Sequence, residues 1–558
     1  MGQPKDIEPP GSDGISRREF IKGAGVAAAA SSLDPLGCAA AGAASDGTPE
    51  QVHLTWGDDP ASTVFVSWVT PSAAHRPRVL ILHEGSATRV VAATERTYTD
   101  GLSGQRLFTY HASLGGLAAD HLYRYSVTAD NDRRRAAPFT ATFRTAPRGR
   151  VPFRWTSYGD LATPDTRWVM SSAQSRHAVD AVERFEPLFH LLNGDLCYAN
   201  LNPTAHPAVW AAFGNNVQRS AAQRPWMPCP GNHEIEFGNG EQGLEGYLAR
   251  YSLPSNGTAF EGRWYRFQVG TVLFICLDAD DVVYQDSGAF VPGPEPLRPG
   301  PGSWHPPIPP GTSLYVRGYS AGAQTRWLER TLAAAVGNIS VDWIVVQMHQ
   351  DALSSSKTGN GSDLGIREAW LPLFDRYGVD LVLCGHDHDY ERSWPVRGCT
   401  HGAGRDATTG APVNTCQPLP VTTTEPPEGR YDTSAGTIHL ILGGGGTNTP
   451  VDVYGVDSAR GTPQAKVFTK PNRPAPGPVP GVFVKAGADA LEPAIWSARR
   501  DPTTAYGIAV FDVDPNAGAS KTSITMRYYH APGADRSPSA SYELFDTIVL
   551  EKTPRAPG

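Results

Sequence analysis

Five times along this chain a short apolar run stops at a polar cluster, four of the five containing a glycine and all of them carrying Asp, Asn or His. Phe153 to Tyr158 runs into Gly159-Asp160, and Leu188 to Leu192 into Asn193-Gly194-Asp195. Trp226 to Cys229 runs into Pro230-Gly231-Asn232-His233-Glu234, Val341 to Met348 stops at His349, and Val379 to Cys384 runs into Gly385-His386-Asp387-His388. Short apolar runs bounded by turn residues read as buried strands. Helical spacing lies between them: Ala173 to Phe185 sets Ala178, Ala181, Val182 and Phe185 on one side, and Ala323 to Ala335 is a second predicted helix. Strands alternating with helices predict an α/β or α+β fold with helices outside packed sheets. Loops leaving the carboxyl ends of such strands share one edge of a sheet, where open α/β sheets place their ligands. The glycines before Asp160, Asp195, Asn232 and His386 permit the sharp strand-to-loop turns that aim those side chains inward.

The residue types set the chemistry. A Gly-Asp alone is an ordinary turn, and a single histidine at a strand end is an ordinary hydrogen-bonding group. Asp160, Asp195, Asn232, His349, His386 and His388, all at strand ends and in order, form instead the mixed oxygen and imidazole donor set that two metal ions sharing one carboxylate require. His233 follows Asn232 without being needed as a ligand. It is the natural proton donor or substrate-orienting group, the alternative being a residue that only fixes ligand geometry.

A chain of 558 residues exceeds what one hydrophobic core supports. From about Pro49 to Pro147 the pattern is short and alternating, as in Thr63 to Trp68, Val79 to Leu82 and Tyr123 to Val127, which predicts an all-β sandwich. We therefore divide the chain into a leader and linker (1–46), a β-sandwich (47–148) and a catalytic domain (149–558). Late strands at Ile438 to Leu442, Tyr506 to Val513 and Ile524 to Tyr529 predict a second sheet layer, whereas Val291 to Pro310 is Pro-rich with no core pattern. A formal charge of −8 without any Lys/Arg block argues against nucleic acid as a partner. No apolar run in the body of the chain reaches membrane-spanning length.

The N-terminus reads as an address. Ser16-Arg17-Arg18-Glu19-Phe20-Ile21-Lys22, a weakly apolar stretch from Gly23 to Ala30 and small residues from Ala39 to Ala44 resemble a twin-arginine export signal. Leu36-Gly37-Cys38 is the competing lipoprotein reading. Of the seven cysteines none forms a CxxC pair, which leaves a thiolate zinc site without support. Cys399 and Cys416 flank a Gly/Thr-rich loop that a disulfide could close.

In order, Gly159-Asp160, Gly194-Asp195-Leu196-Cys197-Tyr198, Gly231-Asn232-His233-Glu234, Val346-Gln347-Met348-His349 and Gly385-His386-Asp387-His388 match the five metallophosphoesterase blocks. With Tyr198 three residues after the second aspartate, and Tyr390-Glu391-Arg392 after the last block, the chain resembles the purple acid phosphatases, in the larger form with a fibronectin III-like domain in front. The resemblance implies a two-sheet metallophosphoesterase sandwich flanked by helices, and it is thin across 285–320 and 396–500. It implies Fe(III) held by Asp160, Tyr198 and His388, with Asp195 bridging. Fe(II), Zn(II) or Mn(II) would be held by Asn232, His349 and His386. The implied activity is an exported, periplasmic or extracellular acid phosphatase. Its metal-bound hydroxide would attack a phosphomonoester in line, with His233 and Asn232 at the substrate. A phosphodiesterase or phytase on the same metals is the nearest rival, and a non-catalytic surface-binding protein is the rival of another class. Two departures stand out. Leu161-Ala162 replaces the usual glycine after Asp160, and Gln350 to Gly385 lacks the phosphate-contacting histidines of plant members. Asp351, Lys357, Asp363, Arg367 and Glu368 are the polar alternatives there, most of them expected to be solvated loop residues.

Overall fold

The computed structural model describes residues 47–554 except 83–87, 131–137, 286–315, 357–359, most of 448–462 and 472–488, and Pro203, Phe237, Glu241 and Ala519. The export signal, the Pro-rich run at 291–310 and Lys357 lie outside the described residues.

The first ninety or so residues described, by the span of their strands, form the expected sandwich. Strands β1 (Glu50–Trp56), β2 (Val64–Thr70), β3 (His75–Leu82), β4 (Arg89–Ala92), β5 (Thr94–Thr99), β6 (Arg106–Leu114), β7 (Leu122–Asp130) and β8 (Phe139–Arg144) make two antiparallel sheets, ordered β1-β2-β6-β5 and β4-β3-β7-β8. Alternation along each strand turns Val64, Val66 and Trp68, and Tyr123, Tyr125 and Val127, into a shared core. The sandwich is fastened to the rest of the chain by buried bonds: Tyr125 Oη donates to the Ala222 carbonyl at 2.7 Å, and the Val52 N–H to Gln218 Oε1 at 2.7 Å.

The remainder is built on two seven-stranded mixed sheets. We number its principal strands β9 (Phe153–Tyr158), β10 (Phe189–Asn193), β11 (Trp226–Cys229), β12 (Tyr265–Val269), β13 (Val272–Cys276), β14 (Trp343–Gln347), β15 (Leu381–Cys384), β16 (Tyr390–Ser393), β17 (Arg430–Asp432), β18 (Ile438–Leu442), β19 (Ser497–Arg500), β20 (Gly507–Asp514), β21 (Thr522–His530) and β22 (Glu543–Lys552). The first sheet runs β11-β10-β9-β20-β21-β22-β17 and the second β12-β13-β14-β15-β18-β16-β19. Their parallel segments are β11-β10-β9 and β22-β17 in one and β13-β14-β15-β18 in the other. Aromatic side chains lock the two together. Trp155 stacks on Phe511 of the adjacent strand at 4.6 Å and meets Phe274 of the opposite sheet edge-on at 5.2 Å. Helices α1 (Gln174–Phe185) and α2 (His206–Ala221) pack with Leu192, Trp226 and Ile508 of the first sheet. Helix α3 (Ala323–Val336) packs with Leu273, Ile344 and Val346 of the second.

Two expectations change. The late strands form no layer of their own: β18 completes the second sheet, and β20 and β21 extend the first, with β20 running antiparallel to β9. The five clusters do not leave one sheet edge either, because three follow strands of the first sheet and two follow strands of the second. Cys399 and Cys416 are disulfide-bonded, while Cys197, Cys229, Cys276 and Cys384 are buried free thiols.

Candidate metal centre

The loops after β9, β10 and β11 meet those after β14 and β15 at the shared end of the sandwich, where Asp160, Asp195, Tyr198, His233, His349, His386 and His388 come into contact, with Asn232 between Gly231 and His233. One group is Asp160, Tyr198 and His388. Tyr198 Oη donates to Asp160 Oδ1 at 2.9 Å and lies 3.1 Å from His388 Nε2, which is 3.2 Å from the same carboxylate oxygen. The other is Asp195, His349 and His386, whose donor atoms all fall within 4.8 Å of one another. Here His349 Nε2 is 3.0 Å from Asp195 Oδ2 and 3.3 Å from His386 Nδ1. Neighbouring donors about 3 Å apart are what ligands at roughly 2.1 Å around one ion present to each other. The groups are joined through β15, since the His386 N–H donates to Asp160 Oδ2 at 2.9 Å.

Holding these groups together strains the backbone. Asp160, Asp195, Tyr198 and His386 sit at φ of 60°, 50°, 59° and 68°, the left-handed region that costs a non-glycine residue about 1–2 kcal/mol. Ala162 is there too, at 57°, so the alanine in place of glycine occupies a glycine-like conformation while Leu161 and Ala162 are both buried. Close approach demands true glycines elsewhere: a Cβ on Gly231 would lie 2.4 Å from Asp195 Oδ1, and one on Gly385 2.5 Å from Asp160 Oδ2.

Buried partners aim the donors. Glu234 accepts from the backbone of Asp195 (2.9 Å), Leu196 (2.8 Å) and Gly231 (2.8 Å), tying the second block to the third. His349 Nδ1 bonds the Asn193 carbonyl at 2.7 Å, which leaves Nε2 to face the cluster. Gly443 to Gly446, after β18, close the floor: the Gly446 and Thr447 N–H groups donate to the Asp160 carbonyl, each at 3.0 Å. Sequence alone gives neither Glu234 nor this glycine run a role. Four consecutive glycines at the end of a sixth apolar strand were the available signal.

The electrostatics are those of a site short of positive charge. Burial raises the Asp160 carboxyl above its ordinary range, and burial with the negative Asp160 and Asp195 pushes the Tyr198 phenol far up. Burial acts against the Asp195 carboxylate, but the neighbouring His349 and His233 outweigh it and hold the group low. Burial likewise acts against charge on His349, yet Asp195 pushes it up to about 10. Asn232 Oδ1 is buried without a hydrogen-bond partner. A desolvated amide oxygen without a partner is a cost that a cation would remove, and the preceding Gly231 packs on Asp195 and His349, so the donor set fits two metal ions.

His233 stands at the rim. Its side chain is 19% exposed, against 0% to 10% for Asp160, Asp195, His349 and His388, so it is the member a substrate can reach. The His233 backbone N–H donates to Asp195 Oδ1 at 2.8 Å, and the ring Nε2 is 3.9 Å from Asp195 Oδ2. The side chains expected to be solvated in 350–385 are mostly not so. Asp351 is fully buried, Asp363 caps a short helix (Leu364–Ala369) by accepting from the Ile366 N–H, and Arg367 is buried in a bidentate pair with Glu492. Glu368 accepts from Tyr284 Oη at 3.0 Å.

A second Asp/His/Glu group, Asp100, His206 and Glu236, was not apparent from sequence. It lies where the loop after β5 meets α2. Asp100 Oδ1 accepts from His206 Nδ1 and Asn239 Nδ2, each at 2.9 Å, and its Oδ2 from the Ser103 N–H and Oγ. Glu236 accepts from Asn239 and from the Trp210 indole. Every carboxylate oxygen is thus engaged by protein donors, and the group serves as a buried strut between sandwich and α2.

Comparison with known proteins gives three matches along the chain. Residues 49–146 match the family model described as the N-terminal domain of purple acid phosphatase, 171–390 that of calcineurin-like phosphoesterase, and 14–33 that of the twin-arginine translocation signal. An uncharacterized protein of Mycobacterium tuberculosis is 38% identical over 99% of this chain and 98% of its own length. The Fe(3+)-Zn(2+) purple acid phosphatase 12 of Arabidopsis thaliana is 27% identical over 62% of this chain and 65% of its own. Among solved structures, a purple acid phosphatase from yellow lupin seeds superposes with a TM-score of 0.61 at 15% identity, covering 91% of this chain and 75% of that one. The twin-arginine match supports export to the periplasm or beyond, and no helix among the described residues is long and apolar enough to cross a membrane.

Proposed function

Because this chain belongs to the calcineurin-like phosphoesterases of the purple acid phosphatase type, we propose that it is an exported binuclear acid phosphatase that hydrolyses phosphomonoesters. We take 47–148 as its supporting domain and 149–558 as its catalytic one. The observation that carries this reading is the pair of converging donor groups joined through Asp160 and His386, with the buried Asn232 oxygen awaiting a partner.

In this reading Asp160, Tyr198 and His388 would hold the first metal and Asn232, His349 and His386 the second, with Asp195 available to both. Carboxylate and phenolate oxygens suit Fe(III), and the imidazole-rich group suits Fe(II), Zn(II) or Mn(II). When bound, the two ions activate water for in-line attack and neutralise charge on the phosphoryl oxygens. The chain does the rest. Glu234 and Asn193 keep the donors fixed, so that little reorganisation accompanies the reaction. His233 faces the rim and gives its Nε2 proton to the departing alcohol oxygen as the phosphorus–oxygen bond breaks.

Turnover of 4-nitrophenyl phosphate and bis(4-nitrophenyl) phosphate by the metal-loaded protein tests this. The monoester is expected to be the better substrate, with Asp195→Asn losing at least about a hundredfold on it. A diester preferred tenfold or more would overturn the monoesterase reading, and unimpaired Asp195→Asn would overturn the metal mechanism.

A further inference from the structure

We propose that Asn200 is the positioning residue for His233: its amide oxygen fixes the ring so that Nε2, and not Nδ1, meets the leaving group. This deepens the proposed function and rests on it.

The placement follows from the turn after Asp195. Tyr198, in its left-handed conformation, starts a single 3-10 turn, Ala199–Leu201, closed by the Leu201 N–H to the Tyr198 carbonyl at 3.2 Å and by Asn202 Nδ2 to the same oxygen at 3.1 Å. The turn packs against the one formed by Asn232–Glu234. Asn200 is consequently only 4% exposed, and its Oδ1 lies 3.1 Å from His233 Nδ1. Its Nδ2 is buried and makes no hydrogen bond. A buried amide costs free energy unless its bonds are made, and the bond Asn200 makes is to His233. Two contacts then hold the imidazole, Asn200 on the Nδ1 edge and the tilted Tyr198 ring at 4.5 Å, while the backbone N–H of His233 donates to Asp195 and anchors the main chain beneath it.

An amide oxygen only accepts, so Nδ1 keeps its hydrogen throughout. As the phosphorus–oxygen bond breaks, its electron pair stays on the leaving oxygen and the proton passes to it from Nε2. Water supplies the oxygen that joins phosphorus, and solvent returns a proton to Nε2. Without Asn200 the ring can rotate, and the donor is misplaced even though the metal ligands are intact.

The test uses the metal-loaded full chain with two monoesters, phenyl phosphate, whose leaving group needs a proton, and 2,4-dinitrophenyl phosphate, whose leaving group does not. Asn200→Ala is expected to lose about tenfold or more in kcat on the first and less than twofold on the second, with KM and metal content unchanged. Asn200→Asp, which keeps an acceptor, should restore most of the loss, and Asn200→Ala added to His233→Ala should cost nothing further. Asn200→Leu, close in shape, replaces the alanine variant if that fails to fold. Equal losses on both esters, no loss on either, or a further loss in the His233→Ala background would each overturn the proposal. If His233→Ala itself shows no dependence on leaving group, the fault lies with the acid role given to His233 in the proposed function. If His233→Ala is selective and Asn200→Ala is not, only the inference about Asn200 falls.

Discussion

Arg367 is the residue at which stability and substrate binding make opposite predictions. Its guanidinium bonds both oxygens of Glu492, at 2.8 and 3.1 Å, and donates to the carbonyls of Ala352 (2.7 Å) and Thr415 (3.0 Å), with both charged side chains fully buried. Arg367→Met keeps much of the volume but leaves Glu492 with only a 3.4 Å contact from the Trp496 indole and leaves two carbonyls short of a donor. Breaking a buried pair from one side costs about 3–5 kcal/mol. Unfolding entropy of about 2.1 cal/mol/K per residue gives a unit of roughly 400 residues about 0.8 kcal/mol/K, so ~4 kcal/mol lowers the midpoint by about 5 °C. Adding Glu492→Gln removes the stranded charge and should recover about half. The assays are thermal unfolding followed by intrinsic fluorescence and steady-state hydrolysis below the transition, where KM should be unchanged. A midpoint within about 1 °C of the parent, together with a tenfold rise in KM, would show that Arg367 reaches the phosphate instead.

Three further outcomes follow. Gly231→Ala places a methyl 2.4 Å from Asp195 Oδ1 and 2.7 Å from His349 Cδ2, so elemental analysis should find the second metal depleted and kcat should fall about a hundredfold. Asp278 is raised to about 7 by burial, although the Tyr319 hydroxyl bonded to it opposes the shift. The fold therefore favours its protonated form, a contribution present below about pH 4 and lost as the pH rises to about 7. Asp278→Asn should gain in midpoint relative to the parent between pH 4 and 8, and a constant difference would refute the assignment. Tyr198→Phe should abolish the visible charge-transfer absorption expected of iron-loaded protein, and an unchanged spectrum would remove Tyr198 from the iron.

The site was legible because its signal is local. Each donor follows an apolar strand, usually through a glycine, and that pattern survives without knowledge of the pairing. What failed depended on long-range pairing. Nothing in Phe153 to Tyr158 shows that its neighbour is Gly507–Asp514, so two sheets read as one edge plus a later layer. Arg367 read as a solvated loop residue because Glu492, which permits its burial, is 125 positions away. Asn200 is two positions past Tyr198, yet its partner His233 is 33 away and nothing in sequence links them. The same holds for Asp100, His206 and Glu236, contributed by three separate segments. The helix His206–Ala221 carries no clear helical period in sequence, because its buried face includes Gly214, Asn216 and Ser220, which break the apolar pattern.

The central claim is a two-metal centre that carries phosphoester hydrolysis. Elemental analysis of the exported protein as purified, paired with its specific activity on 4-nitrophenyl phosphate, tests it most directly. Two ions per chain are expected, with chelation removing activity and metal together and Asp195→Asn binding fewer than one. Full activity in protein stripped of metal would contradict it.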